Sequence, residues 1–190
     1  MKSLIVSLKA LIVFTLLTGL AYPILITGFA QVFFREKANG SMIKKGEKTV
    51  GSSLIGQQFN SAIYFTSRPS ATDYNPMPSG ASNSGITSLK LKELVYYRQG
   101  VFITFNKSDT ISRIPSEMVF ASASGLDPHI SPTAAFLQAD RIAEVRNYDE
   151  TQKIKLKQLI QNQIETPQLF CLGNERINVL LLNLEVDKIK

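Results

Sequence analysis

Ala10 to Phe34 reads ALIVFTLLTGLAYPILITGFAQVFF, and no residue between Lys9 and Arg35 carries a charge. As a helix rising roughly 1.5 Å per residue, these residues reach about 37 Å, enough to cross a hydrocarbon core of ~30 Å with tilt. Their polar members are Thr15, Thr18, Tyr22, Thr27 and Gln31. Threonine hydroxyls bond back to the helix they sit on, so they cost little in lipid. Pro23 is expected to disturb the helix, and membrane helices tolerate this when neighbours or local distortion satisfy the freed carbonyl. Gly19 and Gly28 leave smooth patches where a second helix can approach closely, so Gly19, Pro23 and Gly28 are the candidate membrane-packing residues. The competing reading is a cleaved signal peptide, with small residues in Gly28-Phe29-Ala30. The apolar run is far longer than a signal core, which favours an uncleaved anchor.

The flanking charges leave orientation open. Lys2 and Lys9 precede the run; Arg35, Lys37, Lys44, Lys45 and Lys48 follow it. A bare count would put the C-terminal side in the cytoplasm, but large domains translocate largely regardless of charge.

The rest of the chain is long enough to bury a core without staples. The net charge is +6, with lysines and arginines scattered and no basic stripe interleaved with aromatics, so nucleic acid is not indicated; an anionic lipid surface or acidic partner fits equally. The single cysteine, Cys171, excludes an internal disulfide framework and a cysteine zinc cluster, and the single histidine, His129, excludes a multi-histidine metal site. Cys171, between Phe170 and Leu172, reads as a small buried hydrophobe.

Residues 35–48 read as a charged linker. Thr49 to Phe59 suits a strand and turn. Tyr64 to Gly85, rich in Pro, Gly, Ser and Asn, reads as a long loop; its aromatics and Tyr74-Asn75-Pro76 argue for order. Ser88 is placed to cap a helix through Leu91, Leu94 and Val95 that ends near Gly100. Ser131 followed by Pro132 starts a helix carrying Ala135, Ala139, Ile142 and Val145. Asp149 with Gln152 forms a capping box for a helix lining up Leu156, Leu159, Ile160 and Ile164, stopped by Pro167. Arg176 to Val186 (RINVLLLNLEV) is a short apolar run holding two asparagines and reads as a strand buried on both faces. The fold class is an α+β soluble domain, a small sheet packed by about three helices, on one N-terminal transmembrane helix.

Enzyme motifs are thin. Ser41-Met42-Ile43-Lys44 matches the S-x-x-K of serine acyl-transfer enzymes, in which the lysine lies one helical turn from the nucleophile; a stand-alone membrane-anchored acyl-transfer enzyme using Ser41 and Lys44 is the alternative function. Its partner motifs are absent. No Walker loop or G-x-G-x-x-G occurs. Ser79 to Gly85 suits either a backbone nest for an anion, near Arg68, or a loop held by side-chain hydrogen bonds. Gln138, on the apolar face of its helix, and Arg141 either meet a partner or satisfy an internal loop carbonyl.

Five peptides in order carry the reading further. They are Gly51-Ser-Ser-Leu-Ile-Gly-Gln-Gln-Phe59, Tyr64-Phe65 to Ala71, Tyr74-Asn75-Pro76 with Ser79-Gly-Ala-Ser-Asn83, Ala121 to Pro132, and Ile177-Asn-Val-Leu180 with Leu182-Asn-Leu184. Together they resemble the C subunit (KdpC) of the bacterial Kdp potassium-transporting ATPase over nearly the whole chain. Phe120 stands where the family leads one to expect threonine, and Gln99 to Arg113 is atypical. The resemblance implies an accessory and assembly subunit, not itself an enzyme, beside a channel-like potassium-binding subunit and a P-type ATPase subunit in the cytoplasmic membrane. It implies a cytoplasmic N-terminal tail (residues 1–9), a span (10–34) and an extracytoplasmic domain (49–190). The family is also described as a catalytic chaperone that raises the ATP affinity of the ATPase subunit in a ternary complex with nucleotide. ATP is cytoplasmic, so a domain on the far side cannot touch it; ATP enters only through the resemblance, and no cofactor site is assigned. Tyr64, Phe65, Arg68, Tyr74, Asn75, Gln138 and Arg141 are the candidate partner contacts.

Overall fold

The computed structural model describes residues 2–107, 114–169 and 171–189. The chain divides into two units, Met1–Ser52 and Ser53–Lys190.

The first unit is led by Lys2–Phe33, 32 residues of continuous helix whose most apolar window has mean hydropathy 2.2 and no buried residue. It is long and apolar enough to cross a membrane. It comprises α1 (Lys2–Leu16), a π-helical turn (Leu17–Ala21) and α2 (Tyr22–Phe33). The wide turn sits immediately before Pro23, which has no N–H for the usual bond and whose ring crowds the preceding turn. The backbone answers by bonding Tyr22 N–H to Leu17 O, five residues back. Thr18 Oγ1 donates to Phe14 O at 2.7 Å.

Residues 35–48, expected to be a linker, are folded. A helical turn, α3 (Arg35–Ala38), leads into an antiparallel hairpin of β1 (Met42–Lys45) and β2 (Lys48–Ser52), bulged between Ile43 and Lys44. Gly46 turns the hairpin at φ 65°, and Ser52 Oγ closes its base on Gly40 O at 2.6 Å. This geometry removes the basis of the acyl-transfer alternative. Ser41 lies at φ 49° ahead of a strand that contains Lys44, and three extended residues separate their ends by roughly 10 Å where a helical turn would stack them.

The second unit holds α4 (Leu89–Asn106), a 3₁₀ turn (Ser116–Met118), β3 (His129–Ile130), α5 (Pro132–Val145), α6 (Glu150–Asn162), β4 (Ile177–Asn178) and α7 (Val179–Val186). The class is helix with small sheet, as expected. The helices number four among the described residues, and β3 and β4 form only a two-stranded antiparallel sheet, pairing His129 with Asn178 and Ile130 with Ile177.

The expected caps are in place. Ser88 accepts from Leu91 N, Ser131 from Ala134 N, and Asp149 and Gln152 exchange both bonds of a capping box. Two helix readings change. α4 runs past Gly100 to Asn106, closing with Lys107 in the left-handed region at φ 50°. The run expected to be a buried strand is strand only at Ile177–Asn178 and then turns helical. Asn178 is the reason: its Oδ1 accepts from Leu181 N at 3.1 Å, so it acts as an N-cap. Cys171, expected to be buried, is exposed. The atypical stretch Gln99–Arg113 falls partly outside the described residues, which resume at Ile114.

α5 is the central element. Ala134, Ala135, Ala139 and Ala143 are buried along it, and their small side chains let neighbouring elements approach. Phe102 of α4, Leu156 and Ile160 of α6, and Val179, Leu182 and Val186 of α7 complete the core with Phe65 and Ile142.

Candidate functional site

Phe65 is fully buried, yet residues 62–66 belong to no helix or sheet. Buried backbone polar groups need partners, and here side chains supply them. Asn183 of α7 works as a two-pronged partner for Phe65: its Oδ1 accepts from Phe65 N at 2.8 Å and its Nδ2 donates to Phe65 O at 3.0 Å. Gln138 of α5 accepts from Thr66 N at 2.8 Å and Thr66 Oγ1 at 2.9 Å. Arg141, one turn further along α5, donates to Ala62 O and, at 2.9 Å, to Tyr64 O. Arg146 Nε reaches Ile63 O at 2.8 Å. The carbonyls of residues 62 to 65 thus each accept from a side chain, of Arg141, Arg146, Arg141 and Asn183 in turn. The segment turns at residues 61–64, where Tyr64 N donates to Ser61 O at 3.1 Å, and its remaining bonds come from side chains of α5 and α7 and from Arg146.

Arg141 is itself nearly inaccessible, at 3% exposure. Burial lowers its guanidinium to about 10. It has no carboxylate partner among the bonds described; Asn106 Oδ1 and Gln138 Oε1 accept from its Nε and Nη2 at 2.9 and 3.2 Å, and it lies 4.4 Å from the centre of the Phe105 ring. Hydrogen bonds to several neutral oxygens and an aromatic face spread the charge where one ion pair would concentrate it.

Two polar clusters adjoin the clamped segment, one at Tyr64 and one at Arg68, two residues beyond it. At one, Tyr64 donates to Asp187 Oδ2 at 3.3 Å, Arg146 binds Asp187 Oδ1 at 2.9 Å, and the guanidinium lies over the Tyr64 ring at 5.2 Å. Burial, then the Asp187 charge, raises the Tyr64 phenol. At the other, Arg68 pairs with Asp127 at 2.7 Å, and Asp127 Oδ1 also accepts from His129 N at 3.0 Å. Burial pushes the Asp127 carboxyl up, but the His129 bonds and the Arg68 charge outweigh it, so it is held below the ordinary value. A concavity of about 340 Å³ opens beside these groups, bordered by Glu117 and Arg176.

Beyond Arg68 the loop is tied to itself. Ser70 Oγ accepts from Thr72 N and Tyr74 N at 3.1 and 2.9 Å, which holds Asp73 and Tyr74 in the left-handed region at φ 52° and 59°. Tyr74 donates to Arg68 O at 2.5 Å, and burial pushes its phenol up to about 12, against the opposing Arg98 charge. Asn75 is exposed and turns the chain by accepting from Met77 N at 3.1 Å. Where this loop meets the 121–128 turn, Gly125 has φ 70° and a Cβ there would lie 2.8 Å from Thr72 Oγ1.

The candidate residues therefore separate. Gln138 and Arg141 satisfy internal loop carbonyls, one of the two readings their positions allowed. Phe65 is core, so its side chain offers a partner nothing in this conformation. Tyr64, Arg68, Tyr74 and Asn75 lie along one continuous stretch and are partly or fully exposed. Gly19 falls in the π-helical turn and Pro23 at the start of α2, and neither Gly19 nor Gly28 has a neighbour closer than 4.0 Å to the position of a Cβ. Asn183, Asn178, Arg146 and Asp127 hold the arrangement and were not among the candidates. The signal for the first two was present: asparagines inside an apolar run must have buried partners.

The family model described as "KdpC: K+-transporting ATPase, c chain" matches residues 4–188. The chain is 48% identical to the potassium-transporting ATPase KdpC subunit of Photorhabdus laumondii over 187 residues, covering 96% of this chain and 94% of the relative. It is 42% identical to the KdpC subunit of Leptospira interrogans, with 96% and 92% covered, and 44% identical to that of Geotalea uraniireducens, with 100% and 99% covered. A match of this length, the N-terminal apolar helix included, places the chain in the KdpC family, the c chain of the potassium-transporting ATPase.

Proposed function

We propose that this chain is a non-catalytic assembly subunit of a potassium-uptake pump, joining a channel-like potassium-binding subunit to a P-type ATPase subunit. The observation that carries the proposal is the helix Lys2–Phe33, uncharged from Ala10 onward and with none of its residues buried among the described residues. Such a surface needs lipid or other membrane helices, and Gly19, Pro23 and Gly28 mark where the latter pack. Residues 1–9 lie in the cytoplasm, 10–34 span the membrane, and 49–190 lie outside.

The outer unit acts by contact. The clamp on residues 62–66 holds Tyr64, the Asp127 pair holds Arg68, and the loop's own bonds hold Tyr74 and Asn75, which suits a surface that docks on a partner subunit. Docking that favours one conformation of the pump would change the ATPase subunit's nucleotide affinity with no contact between this chain and ATP. That is how a catalytic-chaperone role is compatible with an external domain.

The test is purification of the complex through a tag after Lys190. Recovery of both partner subunits, and loss of potassium-stimulated ATPase activity when this chain is omitted, are expected; full activity without it refutes the proposal. A topology reporter at Lys190 reads the sidedness.

A further inference from the structure

α4 carries an exposed face that neither the clamp nor the loop uses. Tyr96 and Tyr97 are 62% and 69% exposed, Val101 49% and Leu89 75%. Gly100 lies between the tyrosines and Thr104 on the same side of the helix, with open space at its Cβ position, so the face is flat. Exposed Lys90 and Lys92 flank it at the N-terminal end, Lys92 lying 5.9 Å from the centre of the Tyr96 ring; Glu93 is the acidic residue among them. Ile86, just before the helix, is 99% exposed.

We propose that this face of α4 rests on the bilayer surface, with Tyr96, Tyr97, Leu89 and Val101 at headgroup level and Lys90 and Lys92 on anionic phospholipid headgroups. The proposal rests on the reading of Lys2–Phe33 as a membrane span. Two features of the face suit lipid, and a third makes a weak affinity sufficient. Tyrosine offers an apolar ring with a wet hydroxyl, the combination enriched at membrane interfaces. Lysine stems lie along apolar surface while their ammonium groups stay in water beside phosphate. The third is the tether: only residues 34–52 separate α2 from the second unit, and part of them is folded into the hairpin. A short tether holds the unit at high effective concentration near the bilayer, so a weak surface affinity is enough.

The sequence contains no tryptophan, so single-tryptophan reporters are clean. Full-length chain with Tyr97→Trp, and a control with Ile154→Trp on α6 (57% exposed), are reconstituted into vesicles of phosphatidylcholine with phosphatidylglycerol, brominated near the headgroup. Quenching is expected at position 97 and not at 154. It should weaken in pure phosphatidylcholine, in high salt and in Lys90→Gln/Lys92→Gln, each lysine contributing about fivefold to partition onto an anionic surface. Equal quenching at both positions overturns the proposal. So does an unquenched, blue-shifted emission at position 97 that depends on protein density, which marks a second copy on the face. Carbonate extraction reads the anchor separately. Resistance without quenching at 97 overturns the α4 assignment and leaves the span standing; quenching at 97 without resistance does the reverse.

Discussion

Replacing Asn183 with leucine removes both hydrogen-bond partners of Phe65 at once and keeps the side-chain volume. Asn183 is 3% exposed and Phe65 fully buried, so water cannot substitute. Leaving a buried N–H and a buried carbonyl unpaired costs about 1–3 kcal/mol each, of which the added apolar contact of leucine returns part. The expected net loss is about 3 kcal/mol, measured by urea titration of the full chain in mild detergent, followed by circular dichroism. Asn183→Asp separates hydrogen bonding from packing. The ionised carboxylate still accepts from Phe65 N but sets a second oxygen where Nδ2 donated to Phe65 O at 3.0 Å. Protonation restores a donor. Burial and the facing carbonyl therefore raise the folded value of the introduced carboxyl above its unfolded one. A group raised in this way contributes its stability fully below the unfolded value, about 4, and loses it as pH rises through the folded value. The deficit of Asn183→Asp relative to the parent should be large near neutral pH and shrink on acidification, while that of Asn183→Leu should not. A leucine variant within about 0.5 kcal/mol of the parent, or an aspartate deficit independent of pH, would show that the side-chain clamp does not hold residues 62–66.

Arg141→Met removes the donors to Ala62 O, Tyr64 O and Asn106 Oδ1 and should cost about 3–5 kcal/mol in the same titration, with Arg141→Lys intermediate because an ammonium lacks the planar fork. Gly56→Ala puts a Cβ 2.6 Å from the backbone oxygen of Asp127; backbone must move, and a loss of about 1–3 kcal/mol is expected, whereas Gly80, with open space at its Cβ position, should accept alanine with little change. Asp127→Asn tests the Arg68–Asp127–His129 cluster. A depressed carboxyl contributes stability above the ordinary aspartate value of 3.8 and loses it as pH falls through its lower folded value, so the variant should be weaker at neutral pH and flatter in acid; parallel pH profiles would refute the cluster's role. Tyr64→Ala with Tyr74→Ala should leave the helical content of the isolated chain largely intact and reduce recovery of the partner subunits; undiminished recovery and transport would refute the docking surface.

What could be read from the sequence was local. Ser88, Ser131 and Asp149 cap helices through bonds to residues three positions on, so the signal and its cause lie in the same few residues. The apolar run before Arg35 was equally plain. Val179 to Val186 was misread although its period was present: Val179, Leu182, Asn183 and Val186 are all buried, at i, i+3, i+4 and i+7. An asparagine on the buried face broke the apolar pattern, and its partner, Phe65, lies 118 positions away. The linker reading failed for a similar reason. A hairpin of charged residues has no apolar alternation to announce it, and its closure depends on Gly46 and on Ser52 reaching back to Gly40.

The same separation in sequence explains why the site residues were only half legible. Gln138 and Arg141 stood out as polar residues on an apolar face, and their positions allowed either an internal or an external partner. What decides between them is the geometry of residues 62–66, which lack a partner strand and take their hydrogen bonds from helices. A sheet partner would have left these helix positions free to be apolar; side-chain partners require polar residues inside the core and fix their identity. Asparagine suits position 183 because it both accepts and donates, and arginine suits 141 because it reaches two carbonyls of the segment. The burial of a charged guanidinium, lowered to about 10, is the cost of holding this segment rigid without a neighbouring strand. The return is that Tyr64, in the middle of the segment, and Arg68, two residues beyond it, are held in place. Loosening the clamp should therefore impair docking before it unfolds the chain, and Arg141→Lys, which retains the charge and part of the bonding, is the variant in which the two effects come apart.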